Sequence, residues 1–192
     1  MRTAWGYDVS SAIEPIISVA DFHAATNYAY QNNPRVPEAL KAASQAIRNT
    51  CGWHVTPSLT CTASPAGGAA VLRLPAAYVS AISSVKENGE TVDGYEWRED
   101  GLIRRPYPWT PKWQGILVTY TAGYSVDAVP DLVEAVCSIT SGVLSVSPGV
   151  SNESADGVSV SYSSSAASVA NALTSQMTSA LEPYKVVSSH AA

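Results

Sequence analysis

The chain has few cationic side chains for its length of 192 residues: 11 Lys and Arg stand against 16 Asp and Glu, a formal net charge of −5. Proteins that bind nucleic acid non-specifically neutralise its phosphates with Lys and Arg, so this balance argues against such binding. The pair Arg104–Arg105 is too small to change that conclusion. An acidic protein can still stand beside DNA if its task is to let the DNA pass without gripping it.

Long hydrophobic runs are also missing. No run of about 18 apolar residues occurs, so we expect no membrane-spanning helix and no membrane partner. Met1 to Asp8 lack the hydrophobic region of a signal peptide, so we expect no secretion by that route. The cysteines are odd in number, far apart and set in apolar patterns, which favours buried free thiols over a zinc site: Cys51, Cys61 and Cys137.

The usual signatures of catalysis are absent as well. There is no G-x-S-x-G nucleophile motif, and Gly67-Gly68 lacks the Lys and Ser/Thr of a phosphate-binding loop. His23, His54 and His190 have no metal-ligand spacing. The sequence therefore predicts no catalytic residue, no cofactor and no metal, and a protein that is not an enzyme. An enzyme of unrecognised type would need a concave pocket with convergent polar groups.

Helical patterns precede a β-rich middle. Ser18 is expected to cap a short helix by accepting from the N–H groups around Asp21. A second helix is predicted from Pro37 to about Cys51, because proline suits the first helical position and Gly52 can take positive φ at the end. Its apolar residues recur at three- and four-residue steps, which places them on one face: Leu40, Ala43, Ile47 and Cys51.

The pattern from Trp53 to Tyr124 is typical of β-strands. Asn88-Gly89 and Asp100-Gly101 predict type I′ turns, in which both central residues have positive φ. Between them Tyr95–Glu99 alternates aromatic and charged residues like a half-buried strand, and Gly115–Tyr120 is apolar enough for a central strand. Together these segments predict one small antiparallel sheet inserted between helices.

Helices return after the sheet. One is predicted from Pro130 to about Val146, because proline suits the first turn. Its apolar face consists of Val133, Val136, Cys137, Thr140 and Leu144. In the small-residue segment that follows, Val158, Val160 and Tyr162 alternate like a short strand. A last helix from about Ala166 carries a narrow apolar seam: Leu173, Met177, Leu181 and Tyr184. Such a tethered helix suits docking in a partner's groove, and folding back on its own domain is the alternative.

The expected fold class is therefore α+β: a small helical bundle with an inserted antiparallel β-sheet domain and a C-terminal amphipathic helix. The predicted segments follow the composition of the chain. They are an N-terminal arm (1–17), a helical part (18–52), the β insertion (53–126), a core helix (127–147), a Ser/Gly-rich linker with a short strand (148–165), and the C-terminal helix and tail (166–192).

Four aromatic residues outside these patterns are candidate interface residues. Trp5 and Tyr7 lie in an arm that either packs on its own chain or lies on a neighbouring subunit. Trp109 and Trp113 lie in the loop Pro106–Trp113, whose three prolines make it rigid, so the rings either project or fold over the sheet. Tryptophan is enriched at interface hot spots. With the C-terminal seam, these residues form the predicted interaction surface.

Four groups of short motifs occur in a fixed order along the chain. They are Ile47-Arg-Asn-Thr-Cys-Gly-Trp-His-Val-Thr-Pro57, Leu74-Pro75 with Val79–Val85 and Asn88-Gly89, Tyr95-Glu-Trp97 before Asp100–Arg104, and Val118–Tyr124 before Val129–Leu132. This order resembles the head–tail connector (adaptor) proteins of tailed bacteriophages. The likeness covers roughly residues 18–146 and extends more weakly to 184.

The resemblance implies a structural protein of the virion neck, made in the host cytoplasm. About a dozen copies would form a ring below the portal protein, extend the channel for DNA and present a surface to the next neck or tail protein. Each subunit of a ring needs two different contact surfaces. The N-terminal arm, the Trp-bearing loop and the C-terminal helix of this chain are candidates for such surfaces. The alternatives are a stopper-like or tail-completion protein of the neck, and a monomeric binding module.

Overall fold

The computed structural model describes residues 1–145, 152–155, 158–161 and 179–186. Its elements confirm the α+β class: along the chain, helices precede and follow a β-rich middle. The helices and strands are β1 (Asp8–Val9), α1 (Val19–Ala25), α2 (Val36–Cys51), β2 (Leu59–Ala63), β3 (Val71–Arg73), β4 (Val79–Glu87), β5 (Glu90–Thr91), β6 (Glu96–Trp97), β7 (Leu102–Arg104), β8 (Ile116–Ala122), α3 (Pro130–Ser145), β9 (Asn152–Ala155) and β10 (Val158–Ser161).

The described residues form two compact units. The first, the β unit, contains residues 1–13, 51–128 and 184–186; the second, the helical unit, contains 14–50, 129–145, 152–155, 158–161 and 179–183. The predicted short strand near Val158 is present as β10, and it pairs antiparallel with β9, which the sequence analysis missed. Leu173 and Met177 of the predicted last helix lie outside the described residues.

The helical unit follows local sequence signals closely. Ser18 caps α1 through a capping box: its hydroxyl accepts from the Asp21 N–H at 3.1 Å, and the Asp21 carboxylate accepts from the Ser18 N–H at 3.3 Å. The predicted apolar face of α2 is buried at all four positions. Among the described residues, no helix is long and apolar enough to cross a membrane.

The boundaries of α2 and the buried face of α3 differ slightly from the prediction. α2 begins at Val36, one residue before Pro37, and Gly52 ends it with φ of +79°. In α3 the predicted Val133 and Cys137 are only partly buried. The predicted Val136, Thr140 and Leu144 are buried, and the buried face also includes three other positions: Leu132, Ala135 and Ile139.

The main sheet of the β unit has five antiparallel strands in the order β1-β2-β8-β4-β5. β8 is central, as its apolar sequence predicted, and its buried residues alternate with more exposed ones. The Asn88-Gly89 turn between β4 and β5 has φ of 53° and 93°, as a type I′ turn requires.

The β region contradicts the sequence prediction in three places. It forms two sheets rather than one, because β3 and β6 both pair with β7 in a separate sheet of order β3-β7-β6. The predicted strand Tyr95–Glu99 shrinks to β6, and Trp97 is 37 % exposed because β6 is an edge strand. In the Asp100-Gly101 turn only Gly101 has positive φ, so that turn is not type I′.

The N-terminal segment packs on its own chain rather than extending away from it. β1 pairs with β2, and the buried Tyr7 hydroxyl accepts from the backbone N–H of His54 at 3.0 Å. The imidazole Nε2 of His54 lies 3.1 Å from the Ala122 carbonyl, which can only accept, so Nε2 carries the proton. Nδ1 of the same ring therefore accepts from the Tyr7 hydroxyl at 2.8 Å.

The packing of α2 yields a direct test of the fold. Ile47 is fully buried, so Ile47→Ala removes apolar contacts and leaves a cavity, and we expect it to lower the free energy of unfolding by about 2–5 kcal/mol. Lys41→Ala, on the exposed face of the same helix, is the control and should change it by under about 0.5 kcal/mol. Urea denaturation measures both; equal effects would contradict the assignment of faces.

Candidate assembly interface

The most exposed aromatic side chain described is presented by the proline-rich loop between β7 and β8. Trp113 is 87 % exposed and Tyr107 is 61 % exposed, whereas Trp109 in the same loop is only 1 % exposed. The sequence allowed the tryptophan rings either to project or to fold over the sheet, and each alternative holds for one of the two residues. Trp109 folds into the core and anchors the loop, and Trp113 projects from it.

A partly buried ion pair fixes the base of this loop. The two Nη atoms of Arg105 each donate to one carboxylate oxygen of Glu87 at 2.8 Å, a bidentate arrangement. The Arg105 side chain is 6 % exposed and that of Glu87 is 19 % exposed. Removing one partner of such a pair would leave the other charge buried and uncompensated, which is strongly destabilising.

The same two residues also hold the loop backbone. Arg105 donates to the Tyr107 carbonyl at 3.1 Å and to the Pro108 carbonyl at 2.7 Å, and its guanidinium lies 3.8 Å from the ring centre of Trp109. The Glu87 carboxylate also accepts from the Thr110 N–H at 2.6 Å. One ion pair thus reaches four successive positions of the loop, so its path before Trp113 is defined.

The segment between β2 and β3 approaches this loop too closely for a side chain at one position. A Cβ atom on Gly67 would lie within 1.9 Å of the Thr110 carbonyl oxygen, which only glycine avoids. Next to it, Gly68 donates to the Trp109 carbonyl at 3.0 Å, and Trp109 donates to the Ala69 carbonyl at 2.9 Å. The loop is therefore fastened on both sides before it reaches Trp113.

Electrostatics favour the charged state of the pair. The hydrogen bonds from Arg105 hold the pKa of the Glu87 carboxyl below its ordinary value, although burial acts in the opposite direction. Sequence analysis missed this pair because Arg105 stands beside Arg104 and was interpreted as part of a small basic surface. The sequence signal that could have indicated the pair is the Pro-Tyr-Pro-Trp segment that follows Arg105, because its backbone carbonyl groups need hydrogen-bond donors.

The remaining predicted interface residues have different fates. Tyr7, Trp109 and Leu181 are at most 1 % exposed, because each packs within its own chain. Trp5 is partly exposed and stacks on Tyr7 with ring centres 6.3 Å apart. Tyr184 is also partly exposed.

The end of the described chain is tied to the β unit by a strap, residues 184–186. The indole N–H of Trp53 donates to the Tyr184 carbonyl at 2.6 Å, and the Val186 N–H donates to the Cys51 carbonyl at 3.0 Å. The Tyr184 ring meets the edge of Tyr124 at 5.5 Å. The position that ends the predicted docking helix is therefore held by its own chain.

The described cysteines form no disulfide, and two of them are held as thiols. Burial raises the pKa of the Cys61 thiol to about 12 and raises that of Cys137, so neither is a thiolate at neutral pH. Among the residues that the structure describes, no group of three or more His, Cys, Asp or Glu side chains could hold a metal ion.

Comparison with known proteins identifies similar chains. The family model described as "Head completion protein" matches residues 15–187, and it confirms the resemblance that the motif order indicates. The neck of a native GTA particle, computed with C12 symmetry, matches with a TM-score of 0.56 and 18 % identity over 86 % of this chain and 93 % of that chain. The neck of an empty GTA particle, computed with C6 symmetry, matches with a TM-score of 0.53 and 18 % identity, over 86 % and 94 % of the two chains. No curated protein matches.

The ion pair predicts a pH-dependent stability. Because the pKa of Glu87 is lowered by folding, the stabilisation is present above the ordinary carboxyl pKa and is lost as pH falls through the folded value. Glu87→Gln should therefore lower the free energy of unfolding by about 3 kcal/mol at neutral pH, with a smaller difference from the parent below about pH 4. Urea denaturation across this range measures it.

The exposed pair Arg98–Asp100 provides the control for that experiment, since its side chains are 75 % and 43 % exposed. Asp100→Asn should cost less than about 1 kcal/mol at neutral pH. A Glu87→Gln effect that is equally small, or that does not change with pH, would contradict the assigned role of the pair.

The strap predicts a second effect on stability. Tyr184→Ala removes the ring contact with Tyr124 and should lower the free energy of unfolding by about 1 kcal/mol, measured by thermal and urea denaturation. Pro183→Ala changes an adjacent exposed side chain and should have little effect. Identical stability of Tyr184→Ala and the parent would show that the strap is not held by this contact.

Proposed function

Since this chain belongs to the head completion protein family, we propose that it is a structural subunit of the neck that joins a DNA-filled head to its tail. In this proposal the copies form a ring below the portal protein, and the ring lets DNA pass and presents a surface to the next neck or tail protein. The site of action is the virion neck.

The fold likeness supports the ring. The two similar structures are necks of particles, computed with C12 and C6 symmetry, so those chains stand in rotationally symmetric assemblies. A cyclic ring needs heterologous contacts, in which two different surfaces of each subunit meet. We propose about twelve copies for this chain, in keeping with the higher of those symmetries.

Trp113 is the observation that carries the proposal. A tryptophan that is 87 % exposed leaves its apolar ring in water, and the loop that bears it is fixed by a partly buried ion pair. Tryptophan on a rigid support loses little conformational entropy when it is buried by a partner, which suits an interface hot spot. A monomeric binding module would also need a partner for this residue, but it would not need a ring.

The charge of the chain fits a conduit for DNA. With a formal net charge of −5, the protein as a whole repels the phosphate backbone. A strongly basic channel would bind the passing DNA and slow its movement. A stopper-like neck protein remains the second candidate, and it differs by not binding the portal.

The proposal predicts a separation of folding from assembly. Trp113→Ala should leave the free energy of unfolding unchanged, because the ring is exposed, while weakening assembly by at least about 30-fold, as expected for a hot spot worth 2 kcal/mol. The measurement is the mass of the purified chain, alone and mixed with portal rings, by light scattering. Tyr28→Ala, at another exposed aromatic residue, is the control and should assemble normally.

Two results would contradict the proposal. One is a parent chain that stays monomeric both alone and with portal rings. The other is a Trp113→Ala variant that assembles as well as the parent. Rings that form alone and never bind the portal would favour the stopper-like candidate instead.

A further inference from the structure

The small sheet of the β unit has an edge strand on each side, β3 and β6; just past β6 the Glu99 carbonyl accepts from the Val79 N–H at 2.8 Å, so the unpaired backbone on that side is β6 itself. β7 is its central strand, and β3 and β6 each pair only with β7 among the described residues. An unpaired edge carries a row of free N–H and C=O groups and is a template for another strand. A sheet with such edges on both sides can be continued on either side by a further copy of itself.

The hydrogen-bond pattern identifies which backbone groups of β3 are free. The Arg105 N–H donates to the Ala70 carbonyl at 3.1 Å, and the Leu74 N–H donates to the Gly101 carbonyl at 2.8 Å. Because antiparallel strands alternate between bonded and non-bonded pairs, the residues between these two points direct their backbone outward at every second position. Val71 and Arg73 therefore present their N–H and C=O groups at the β3 edge.

β6 also directs backbone groups away from β7. The Arg98 N–H donates to the Leu102 carbonyl at 2.9 Å, so the preceding residue, Trp97, turns its N–H and C=O groups away from β7. Its side chain is 37 % exposed at this edge. On the β3 edge the side chain of Val71 is 43 % exposed. Each edge thus offers free backbone groups beside a partly exposed apolar side chain.

The two edges carry opposite charge. Arg73 is exposed on the β3 edge and forms no ion pair within 4.0 Å among the described residues. The β6 edge and its flanks carry four carboxylates against one cation, Arg98, which pairs with Asp100 at 3.0 Å. The other three carboxylates are exposed and form no ion pair in the described part of the chain: Asp93, Glu96 and Glu99. Unlike charges on opposite sides of one sheet attract copies head to tail and repel like edges from each other.

We propose that the β3 edge of one copy lies against the β6 edge of the next, with Arg73 facing the carboxylates around Glu96. This contact rests on the ring of the proposed function and names the surfaces that form it. β3 and β6 both run antiparallel to β7, so a small rotation about a ring axis brings them together as parallel strands. It is a heterologous contact, and ring closure leaves neither edge free.

Cysteine cross-linking tests the contact in the full-length chain. The double variant Arg73→Cys with Glu96→Cys, made in a Cys137→Ser background, places thiols at the two positions that face each other across the proposed contact. Within one chain Arg73 pairs with Leu102 and Glu96 pairs with Arg104, so the two positions lie at least two strand spacings apart, about 9.6 Å, which is too far for a disulfide. We expect oxidised rings to give a ladder of multimers on a non-reducing gel, up to the full ring.

Three controls accompany this experiment: the Cys137→Ser parent, each single variant in that background, and Arg73→Cys combined with Tyr28→Cys. Cys137 is replaced because it is only partly buried, whereas Cys51 and Cys61 are buried and should not cross-link. Single variants should give dimers at most. If the parent forms rings and the double variant gives no ladder, the edge contact is wrong while the proposed function stands.

Charge exchange gives an independent readout on ring formation. Arg73→Glu should weaken ring formation at least tenfold, because it places like charges at the contact, and Glu96→Arg should do the same. The double variant Arg73→Glu with Glu96→Arg should restore most of the loss. Failure of this restoration, or a ladder that links this chain to a different neck protein instead of itself, would overturn the inference; a parent that forms no ring would overturn the proposed function.

Discussion

The bidentate ion pair between Glu87 and Arg105 is the constraint on which the functional surface depends. Its charges are nearly buried, and they are compensated by each other, by the loop carbonyls and by the Trp109 ring. Trp109 is buried beside this contact, and the backbone hydrogen bonds of Gly68 and Ala69 hold the other side of the loop. Trp113 is exposed on a support that is already ordered, so a partner that covers its ring gains apolar burial at little cost in conformational entropy.

Local patterns were enough to predict much of the fold. The face of α2, the cap at Ser18, the Asn88-Gly89 turn and the central position of β8 each depend on neighbouring residues, and each is confirmed. The split into two sheets was not predictable in the same way, since it depends on which strand pairs with β7. The edge position of β6 follows from that pairing and explains why Trp97 is partly exposed.

The candidate site was less predictable than the fold. Trp109 and Trp113 have the same chemistry and lie four residues apart in one loop, yet one is 1 % and the other 87 % exposed. Arg105 packs on the ring of Trp109 and not on that of Trp113, and its partner Glu87 is 18 residues away in sequence. Tyr7 and Tyr184 show the same limit, because contacts with His54 and Trp53 hold both ends of the described chain on its own β unit. What is left exposed is therefore a smaller and better defined surface than the sequence indicated.

The central claim is that this protein is built to bury Trp113 against another subunit in a symmetric neck. The most direct measurement is a density map of the neck of the intact particle at a resolution that shows side chains. The account predicts several copies of this chain around the particle axis, with each Trp113 ring covered by a neighbouring chain. A map in which the chain is present and the Trp113 rings all face solvent would contradict it.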